Sequence, residues 1–431
     1  MYTHQLNPYS LISSISLSIL FSLFTIGCSN NSENSGKDSD LGKMKEINSP
    51  AGSQSAEPYL FTSTEGEVFC LWTERKEDKV NELRFSRLLD GKWEKSKLVA
   101  RGDNWFVNWA DFPAMAVSSQ GNMVAHYLAK SGESTYAYDV NIIHSADSGK
   151  NWSDAQVLHD DNTQTEHGFV SMFGTTNGRF FLTWLDGRNT AQNQINSHEN
   201  HNHTAGAMSI RAAYLDSNGQ KIEEHELDNR VCDCCQTGTV LTDNGPIVVY
   251  RNRSEDEIRD ICIVRYEGGK WSSPQVIYPD NWKIAGCPVN GPRVDASGNH
   301  LAIAWFSAAN DTPQVKIIFS KDGGKSFGKA IRIDHGQPLG RVDIEMLDAE
   351  TALVSWLESE NKTGRIMASI VNKEGKTLQT FTISETSQAR ASGFPQMTNS
   401  KEGIIFAWTQ VDSVDDRSIR TALLSYDQFE N

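Results

Sequence analysis

The sequence lacks three features that would point to other kinds of protein. No stretch combines helical hydrophobic periodicity with capping residues, which argues against a helical fold. Basic residues are outnumbered, with 40 Lys and Arg against 55 Asp and Glu and a formal charge of −15, which argues against nucleic-acid binding and electrostatic docking on anionic lipid. The longest apolar run, Leu11–Ile26, is too short and too rich in serine for a comfortable membrane span.

That apolar run has the features of a leader rather than of a folded segment. It ends in Thr25-Ile26-Gly27-Cys28 and is followed by a Ser- and Asn-rich stretch. This resembles a bacterial lipoprotein signal, which predicts a signal peptide over 1–28 with a lipidated Cys28 and a disordered tether over 29–55. The resemblance implies a protein of the cell envelope, in the outer membrane or periplasm, that contacts membrane through its lipid only. An ordinary secretory signal and an uncleaved anchor are the alternatives.

From Glu57 onward, one pattern of three mostly apolar residues followed by an aromatic residue keeps returning. Further apolar strands flank each copy, so a unit of about 50 residues holds four short strands, as in a propeller blade. We therefore predict an all-β propeller over 56–431 with seven blades, six being the alternative. The last unit has no evident fourth strand, which Met44–Asn48 could supply from the other end of the chain. The aromatic residues lie 51 to 66 residues apart and are predicted to be core: Trp72, Tyr127, Trp184, Tyr250, Trp305, Trp356 and Trp408.

A specialised hairpin turn also recurs, at Ser145–Trp152 and again at Ser320–Phe327. Its form is Ser-x-Asp-x-Gly, then a polar residue and an aromatic two and three positions later. The Ser and Asp oxygens can accept hydrogen bonds from backbone N–H groups of the turn, and Gly149 can adopt a positive φ. The motif resembles the Asp-box, or BNR repeat, of sialidases and related β-propellers. In that family the box is a structural hairpin away from the active site.

In a propeller, the loops that join strand 4 to the next blade's strand 1 meet on one face with the loops between strands 2 and 3. We call this face the mouth. Arg, Asp, Glu, His and Cys are concentrated in these loops, which favours a ligand site there over loops that merely brace one another. The longest of the loops contains His198, His201 and His203 and is predicted to be a solvated segment.

The sialidase resemblance implies a particular chemistry. Arginines would grip a sugar carboxylate, and a Tyr nucleophile assisted by Glu would work with an Asp acid/base. The predicted function is thus a sialidase-like, exo-acting glycoside hydrolase for sialic acid or another acidic sugar, with a carbohydrate or glycoconjugate as partner. A non-catalytic propeller that binds a glycan or a protein is the alternative. No tyrosine stands out as nucleophile, and the family's Phe/Tyr-Arg-Ile-Pro segment is missing. The candidate residues are Asp111 and Glu255 for catalysis, and Arg188, Arg253, Arg341 and His167 for substrate binding.

Six cysteines remain besides Cys28. Cys70 and Cys262 lie on predicted strands and are expected to be buried thiols. The others fall on mouth loops of adjacent units, where a disulfide from Cys287 to Cys234 or Cys235 is the first expectation for an exported protein. A soft-metal site, with His167 as a further ligand, and a redox pair are the alternatives; no other cofactor is expected. The four loop cysteines are Cys232, Cys234, Cys235 and Cys287.

Overall fold

The computed structural model describes residues 44–191, 206–413 and 416–429. The predicted signal peptide with Cys28, most of the predicted tether and the segment with His198, His201 and His203 lie outside these residues and stay predictions. The described residues form thirty strands in seven antiparallel sheets. No helix within the described ranges has the length and apolar character to span a bilayer.

The described part of the chain begins with β1 (Lys45–Ile47), which belongs to the last blade, and then builds blades 1 to 3 in order. Blade 1 comprises β2 (Ser55–Thr62), β3 (Val68–Arg75), β4 (Asn81–Leu89), β5 (Lys92–Trp93) and β6 (Lys97–Gly102). Blade 2 comprises β7 (Met115–Val117), β8 (Met123–Lys130), β9 (Tyr138–Ser145) and β10 (Gln156–Val157). Blade 3 comprises β11 (His167–Gly174), β12 (Phe180–Asp186), β13 (Met208–Leu215) and β14 (Lys221–Val231).

Blades 4 to 7 repeat the arrangement. Blade 4 comprises β15 (Gly238–Thr242), β16 (Gly245–Arg251), β17 (Ile261–Glu267), β18 (Lys270–Trp271) and β19 (Gln275–Tyr278). Blade 5 comprises β20 (Arg293–Ser297), β21 (His300–Ser307), β22 (Gln314–Ser320) and β23 (Ile331–Arg332). Blade 6 comprises β24 (Pro338–Met346), β25 (Thr351–Glu360), β26 (Thr363–Asn372) and β27 (Thr377–Thr386). Blade 7 comprises β28 (Gln396–Asn399), β29 (Gly403–Ser413), β30 (Asp416–Ser425) and β1.

The ring is closed by a strand from the other end of the chain. The short β1 pairs antiparallel with β30, in a register from Lys45 opposite Leu423 to Ile47 opposite Thr421. Strand β1 is therefore the outermost strand of blade 7, as the sequence predicted for Met44–Asn48. The prediction of seven blades is confirmed as well. This pairing covers part of the edge that β30 would otherwise leave unpaired.

The apolar core lies between the blades rather than in one central mass. Seven buried clusters occupy the seven gaps between successive sheets, from blades 1 and 2 round to blades 7 and 1. The repeated aromatic residues of the second strands lie in these gaps, and Trp72, Trp184, Trp305 and Trp356 have no exposed surface. Through these clusters each blade packs against the blade before it and the blade after it. This packing fixes the positions of the mouth loops that the blades carry.

The second strands carry a further repeated contact. The indole Nε1–H of Trp72 donates to Glu74 at 2.9 Å, and that of Trp184 donates to Asp186 at 3.0 Å. Trp356 donates to Glu358 in the same way. Residues two apart on a strand point to the same face, so each of these three indoles has a carboxylate acceptor at the mouth end of its own strand.

The Asp-box turns have the geometry that the motif predicted. Ser145 Oγ donates to Asp147 Oδ1 at 2.8 Å and accepts from the N–H of Gly149 at 2.9 Å. Asp147 also accepts from the backbone N–H of Asn151, which holds the pKa of its carboxyl low, at about 2. Gly149 has φ = 73°, and a Cβ there would lie 2.4 Å from the Phe85 ring. The turn at Ser320–Phe327 repeats these bonds.

Candidate active site

The loops of the mouth converge, and two side chains tie them together. Gln236, in the loop from blade 3 to blade 4, donates to the carbonyl of Ala110 at 2.6 Å and accepts from the N–H of Gly291 at 3.0 Å. Thr237 donates to the carbonyl of Phe169 at 2.8 Å. Loops that lie more than 50 residues apart in sequence therefore form one surface, as the propeller prediction required.

Asp111 lies in the loop from blade 1 to blade 2 and is buried. Its Oδ1 accepts from the backbone N–H of Phe169 at 2.7 Å, and its Oδ2 lies 3.1 Å from the hydroxyl of Tyr138. Burial raises the pKa of Asp111 to about 7, against the opposing effect of these hydrogen bonds. A carboxyl group with a pKa near neutrality can donate or accept a proton at physiological pH.

Tyr138 begins strand β9 and lies between two carboxyl groups. Its hydroxyl is 2.7 Å from Glu166 Oε1 as well as 3.1 Å from Asp111 Oδ2. One hydroxyl proton can serve only one acceptor at a time. Donation to the nearer Glu166 leaves the tyrosine oxygen as an acceptor for a protonated Asp111, so the three groups hold a shared set of protons.

Glu166 lies in the loop from blade 2 to blade 3 and extends this network toward the next loop. Burial, and then the negative charges of Asp111, Asp233 and Cys287, raise its pKa to about 8, although its bond to Tyr138 opposes the shift. Asp233 and Cys287 belong to the two following mouth loops. Four successive loops therefore contribute acidic or thiol groups to one neighbourhood.

Aromatic residues cover the tyrosine. The Phe106 ring stacks on the Tyr138 ring with centroids 4.0 Å apart, and Tyr138 has no exposed surface. Beside this stack is a small cavity of about 20 Å³, lined in part by Glu57, Phe106 and Asp111. That volume admits about one water molecule. Burial raises the pKa of Glu57, too, to about 7.

The three candidate arginines have different partners. Arg188 forms a bidentate pair with Asp186, with both bonds at 2.8 Å, and Asp186 is the carboxylate that accepts from Trp184. Arg253 bonds Glu257 at 2.9 Å and Asp233 at 3.0 Å. Both guanidinium groups are thus neutralised by carboxylates of the mouth.

The third arginine is buried in the protein. Arg341 is only 6% exposed, and its guanidinium donates to Ser392 Oγ at 2.7 Å and to the carbonyl of Gly393 at 3.0 Å. It also lies over the Trp109 ring, 4.9 Å from the centroid. Burial, and then the charge of Arg390, lower its pKa to about 10. In this structure Arg341 braces the loop between blades 6 and 7.

The side chains of the remaining two candidates, His167 and Glu255, form no hydrogen bond with the network around Tyr138. His167 has no exposed surface; its Nε2 is 2.9 Å from Asp161 Oδ2, and its ring stacks on His159 with centroids 3.5 Å apart. Although burial lowers it, bonds to Asp139 and Asp161 raise the pKa of His159 to about 9. Glu255 is exposed, whereas Glu257, two residues later, is the carboxylate that binds Arg253.

The cysteines correct one expectation. All six described cysteines are free thiols, so the expected disulfide from Cys287 to Cys234 or Cys235 is not present. Instead, Cys232 Sγ and Cys235 Sγ are 3.5 Å apart, whereas a disulfide requires about 2.05 Å. The expectation that Cys70 and Cys262 are buried thiols is confirmed.

Tyr138, Glu166 and Glu257 are the residues that sequence reasoning did not select. Glu166 stands beside His167 in a loop already singled out, and Tyr138 opens a third strand where a mouth loop ends. A search for tyrosines at that boundary could have found Tyr138. The pairing itself comes from the backbone, since Tyr138 and Glu166 form an isolated bridge between blades 2 and 3.

The closed ring of seven antiparallel sheets of four or five strands, with Asp-box turns on one face and a polar mouth on the other, defines a seven-bladed β-propeller of the BNR-repeat class. The chain belongs to the BNR repeat-like domain family, whose sequence model matches residues 66–407. A search among curated proteins finds no match.

Solved structures with similar folds share little sequence with this chain. An ulvan lyase of a polysaccharide lyase family has a TM-score of 0.54 and 12% identity, over 88% of this chain and 96% of that chain. The NanB sialidase of Streptococcus pneumoniae has a TM-score of 0.44 and 11% identity, over 83% of each chain. An α-L-arabinanase of Penicillium chrysogenum has a TM-score of 0.43 and 12% identity, over 74% of this chain and 94% of that chain. At these identities the similarity concerns the fold.

Proposed function

We propose that the protein is a glycan-active enzyme, a sialidase-like exo-acting glycoside hydrolase that acts on sialic acid or another acidic sugar. One observation carries the proposal: the Tyr138 hydroxyl lies 2.7 Å from Glu166 and 3.1 Å from Asp111. A tyrosine, a glutamate and an aspartate are the groups that hydrolysis through a tyrosine nucleophile requires. Here they come from three different mouth segments and meet at one hydroxyl.

The catalytic roles of Tyr138, Glu166 and Asp111 follow from which of them gives or takes a proton in each step. Tyr138 is a weak nucleophile while protonated, because burial and the two nearby carboxyl groups raise its pKa well above its usual value. Glu166, in the ionised fraction that its pKa of about 8 leaves at neutral pH, takes the phenolic proton as the tyrosine oxygen attacks the anomeric carbon, and protonated Asp111 gives a proton to the departing sugar oxygen. In the second step Asp111 removes a proton from water, the water oxygen displaces Tyr138, and Glu166 returns the phenolic proton. The cavity beside Asp111 has room for about one such water.

An acidic substrate is favoured by the surroundings of the network. Arg253 binds Asp233, and the charge of Asp233 helps to raise the pKa of Glu166, so one carboxylate links Arg253 to the network. A sugar carboxylate could exchange for Asp233 on the Arg253 guanidinium. The ulvan lyase, which has a similar fold, is described in complex with a -[GlcA(1-4)Rha3S]- saccharide, so such a fold can accommodate an acidic glycan.

A second candidate function rests on the cover over Tyr138. A sugar reaches the hydroxyl only when Phe106 moves off the tyrosine ring, and the guanidinium groups of Arg188, Arg253 and Arg341 all have partners. A propeller whose mouth binds a glycan or a protein without catalysis would need neither a solvent-accessible tyrosine hydroxyl nor an unpaired arginine side chain.

The test is hydrolysis of fluorogenic sialosides and uronides by the wild-type chain and by Tyr138→Phe. We expect Tyr138→Phe to lower kcat by about 10²–10⁴-fold. Tyr250→Phe is the matched control, because Tyr250 is also buried and its hydroxyl lies 2.6 Å from Asp228, away from the network. Failure of the wild-type chain to release any fluorophore would refute the enzymatic proposal, and binding of an acidic glycan without turnover would favour the second function.

A further inference from the structure

Four thiols from two neighbouring mouth loops converge beside the network. The sulfur atoms of Cys232, Cys234 and Cys235 all lie within 4.8 Å of one another, and the Cys232–Cys235 distance is 3.5 Å. Cys287, from the loop between blades 4 and 5, is adjacent to Cys234 but lies outside this group of three. These thiols are free, and the proposed hydrolysis assigns no chemical step to them.

We propose that Cys232, Cys234 and Cys235, with Cys287 as a fourth ligand, bind one soft metal ion of the Cu(I) or Zn(II) type. Thiolates select these metals over hard cations. Each thiol that becomes a ligand releases its proton to solvent, and the metal keeps its oxidation state.

The spacing of the sulfur atoms fits such an ion. Zinc–thiolate bonds are about 2.3 Å long, so two ligands of a tetrahedral site are about 3.8 Å apart. The Cys232–Cys235 distance of 3.5 Å needs only a small outward adjustment to reach this value. The run Cys232-Asp233-Cys234-Cys235 is a tight turn that offers three ligands, and a second loop supplies the fourth.

Charge around the cluster favours anionic sulfur. The Arg259 guanidinium is buried and donates to Cys232 Sγ at 3.0 Å. Arg251, also buried, donates to the backbone carbonyls of Asn290, Arg259 and Phe306. Within the described residues no carboxylate lies at ion-pair distance from Arg251. A buried cation without a carboxylate partner stabilises negative charge nearby, and a metal bound by three or four thiolates retains a net negative charge.

The four ligands differ in exposure. Cys232 and Cys235 are buried, Cys234 is half-buried, and Cys287 is exposed. The metal would therefore have a protected side of two sulfur atoms and an open side at Cys287. An ion held in this way can be loaded and exchanged from solvent through the Cys287 position.

Metal binding is tested on the full chain, reduced and handled without oxygen, by titration with Cu(I) against bathocuproine disulfonate and with Zn(II) against 4-(2-pyridylazo)resorcinol. We expect one equivalent of at least one of the two metals to bind. The ion that binds more tightly is the metal for which the site is selective. Cys234→Ser should weaken metal binding about 100-fold, because Cys234 is a half-buried ligand. Cys287→Ser should weaken it about 10-fold, because Cys287 is an exposed ligand. Cys70→Ala is the control, because Cys70 is a buried thiol outside the cluster, and it should bind as the wild type does.

Three results would overturn the proposal: no stoichiometric binding of either ion, unchanged affinity in a folded Cys234→Ser variant, or a thiol count showing Cys234 or Cys287 oxidised to a disulfide in the exported protein. Thermal melts establish that each variant is folded. Tyr138→Phe should keep its metal, so failure of the hydrolysis proposal and failure of the metal proposal can be told apart.

Discussion

Gly168 and Asp111 are packed so closely that glycine is the residue this contact requires. A Cβ on Gly168 would lie 2.0 Å from Asp111 Oδ2 and 2.9 Å from Asp111 Cγ. Without a side chain at 168, the carboxyl group can accept from the N–H of the next residue, Phe169, at 2.7 Å. The position of Asp111 next to Tyr138 thus requires that residue 168, in strand β11 of the next blade, has no side chain.

Gly168→Ala should displace Asp111 and separate it from Tyr138. The added methyl group overpacks a buried site, which costs about 1–3 kcal/mol of unfolding free energy. If the proposed hydrolysis is correct, kcat should fall with it. Urea unfolding and the fluorogenic assay measure both effects. Gly328→Ala is the matched control, since the nearest atom to a Cβ there, the carbonyl oxygen of Phe319, is 3.7 Å away. Wild-type stability and turnover in Gly168→Ala would show that the contact is unimportant.

The raised pKa of Asp111 predicts how stability depends on pH. The folded protein binds a proton at this carboxyl up to about pH 7, whereas the unfolded chain loses it near the ordinary value of 3.8. The folded state therefore holds more protons between these values, and its unfolding free energy should fall as pH rises from about 4 to about 7. Glu166, the acidic neighbour across Tyr138, has a raised pKa and acts in the same direction.

Asp111→Asn should remove the Asp111 part of this pH dependence, which is measured as the difference between urea midpoints at pH 5 and pH 8. Asp147 provides a control of opposite sign, because its pKa is lowered to about 2 and its contribution is present above about pH 4 and lost as pH falls. Asp147→Asn should leave the interval from pH 5 to pH 8 unaffected. An Asp111→Asn curve parallel to that of the wild type would contradict the assignment.

The fold could be predicted because its signals are local and repeated. Each second strand carries an apolar run ending in an aromatic residue, and Ser145–Trp152 contains every hydrogen-bonding group of its own turn. Even the closing strand could be inferred, since the last unit lacked one strand and Met44–Asn48, at the other end of the chain, could supply it. Local pattern therefore determined blade number and ring closure.

The site was harder to predict because its contacts join distant segments. Arg341 and His167 are polar residues in mouth loops, yet both are buried among partners that the sequence does not indicate. Tyr138 was missed because its carboxyl partners lie about 27 residues away on either side, at Asp111 and Glu166. Asp111 and Arg253 remain candidates, whereas Glu255 is exposed and the glutamate that contacts Tyr138 is Glu166.

Arg341→Ala should act on stability rather than on substrate binding. Its guanidinium donates to four oxygen acceptors in residues 388–393, and truncation removes these bonds, including those to the buried Ser392 hydroxyl and Gly393 carbonyl. We expect a loss of about 3 kcal/mol of unfolding free energy from hydrogen bonds to a charged group. Arg341→Lys should restore only part of it, because a single ammonium group cannot reproduce the fork of donors.

Arg390→Ala is the control for that experiment. Arg390 lies over the same Trp109 ring, 5.9 Å from its centroid, but is exposed, so its loss should change stability little. Chemical unfolding and KM for the preferred acidic sugar distinguish the two roles of Arg341. An Arg341→Ala variant with wild-type stability and a strongly raised KM would instead make Arg341 a substrate ligand, as the sequence had suggested.

Ring closure by β1 should contribute measurably to stability although the strand has only three residues. Ile47 is 7% exposed and packs in the cluster between blades 7 and 1 with Leu60, Ile405 and Ile419. Ile47→Ala should lower the unfolding free energy by about 2–4 kcal/mol, since it removes buried methyl groups and leaves a cavity. Lys45→Ala, on the same strand but exposed, should have little effect. Equal and small losses in both variants would mean that the remaining contacts between blades 7 and 1 suffice to close the ring, and that pairing with β30 only covers an edge.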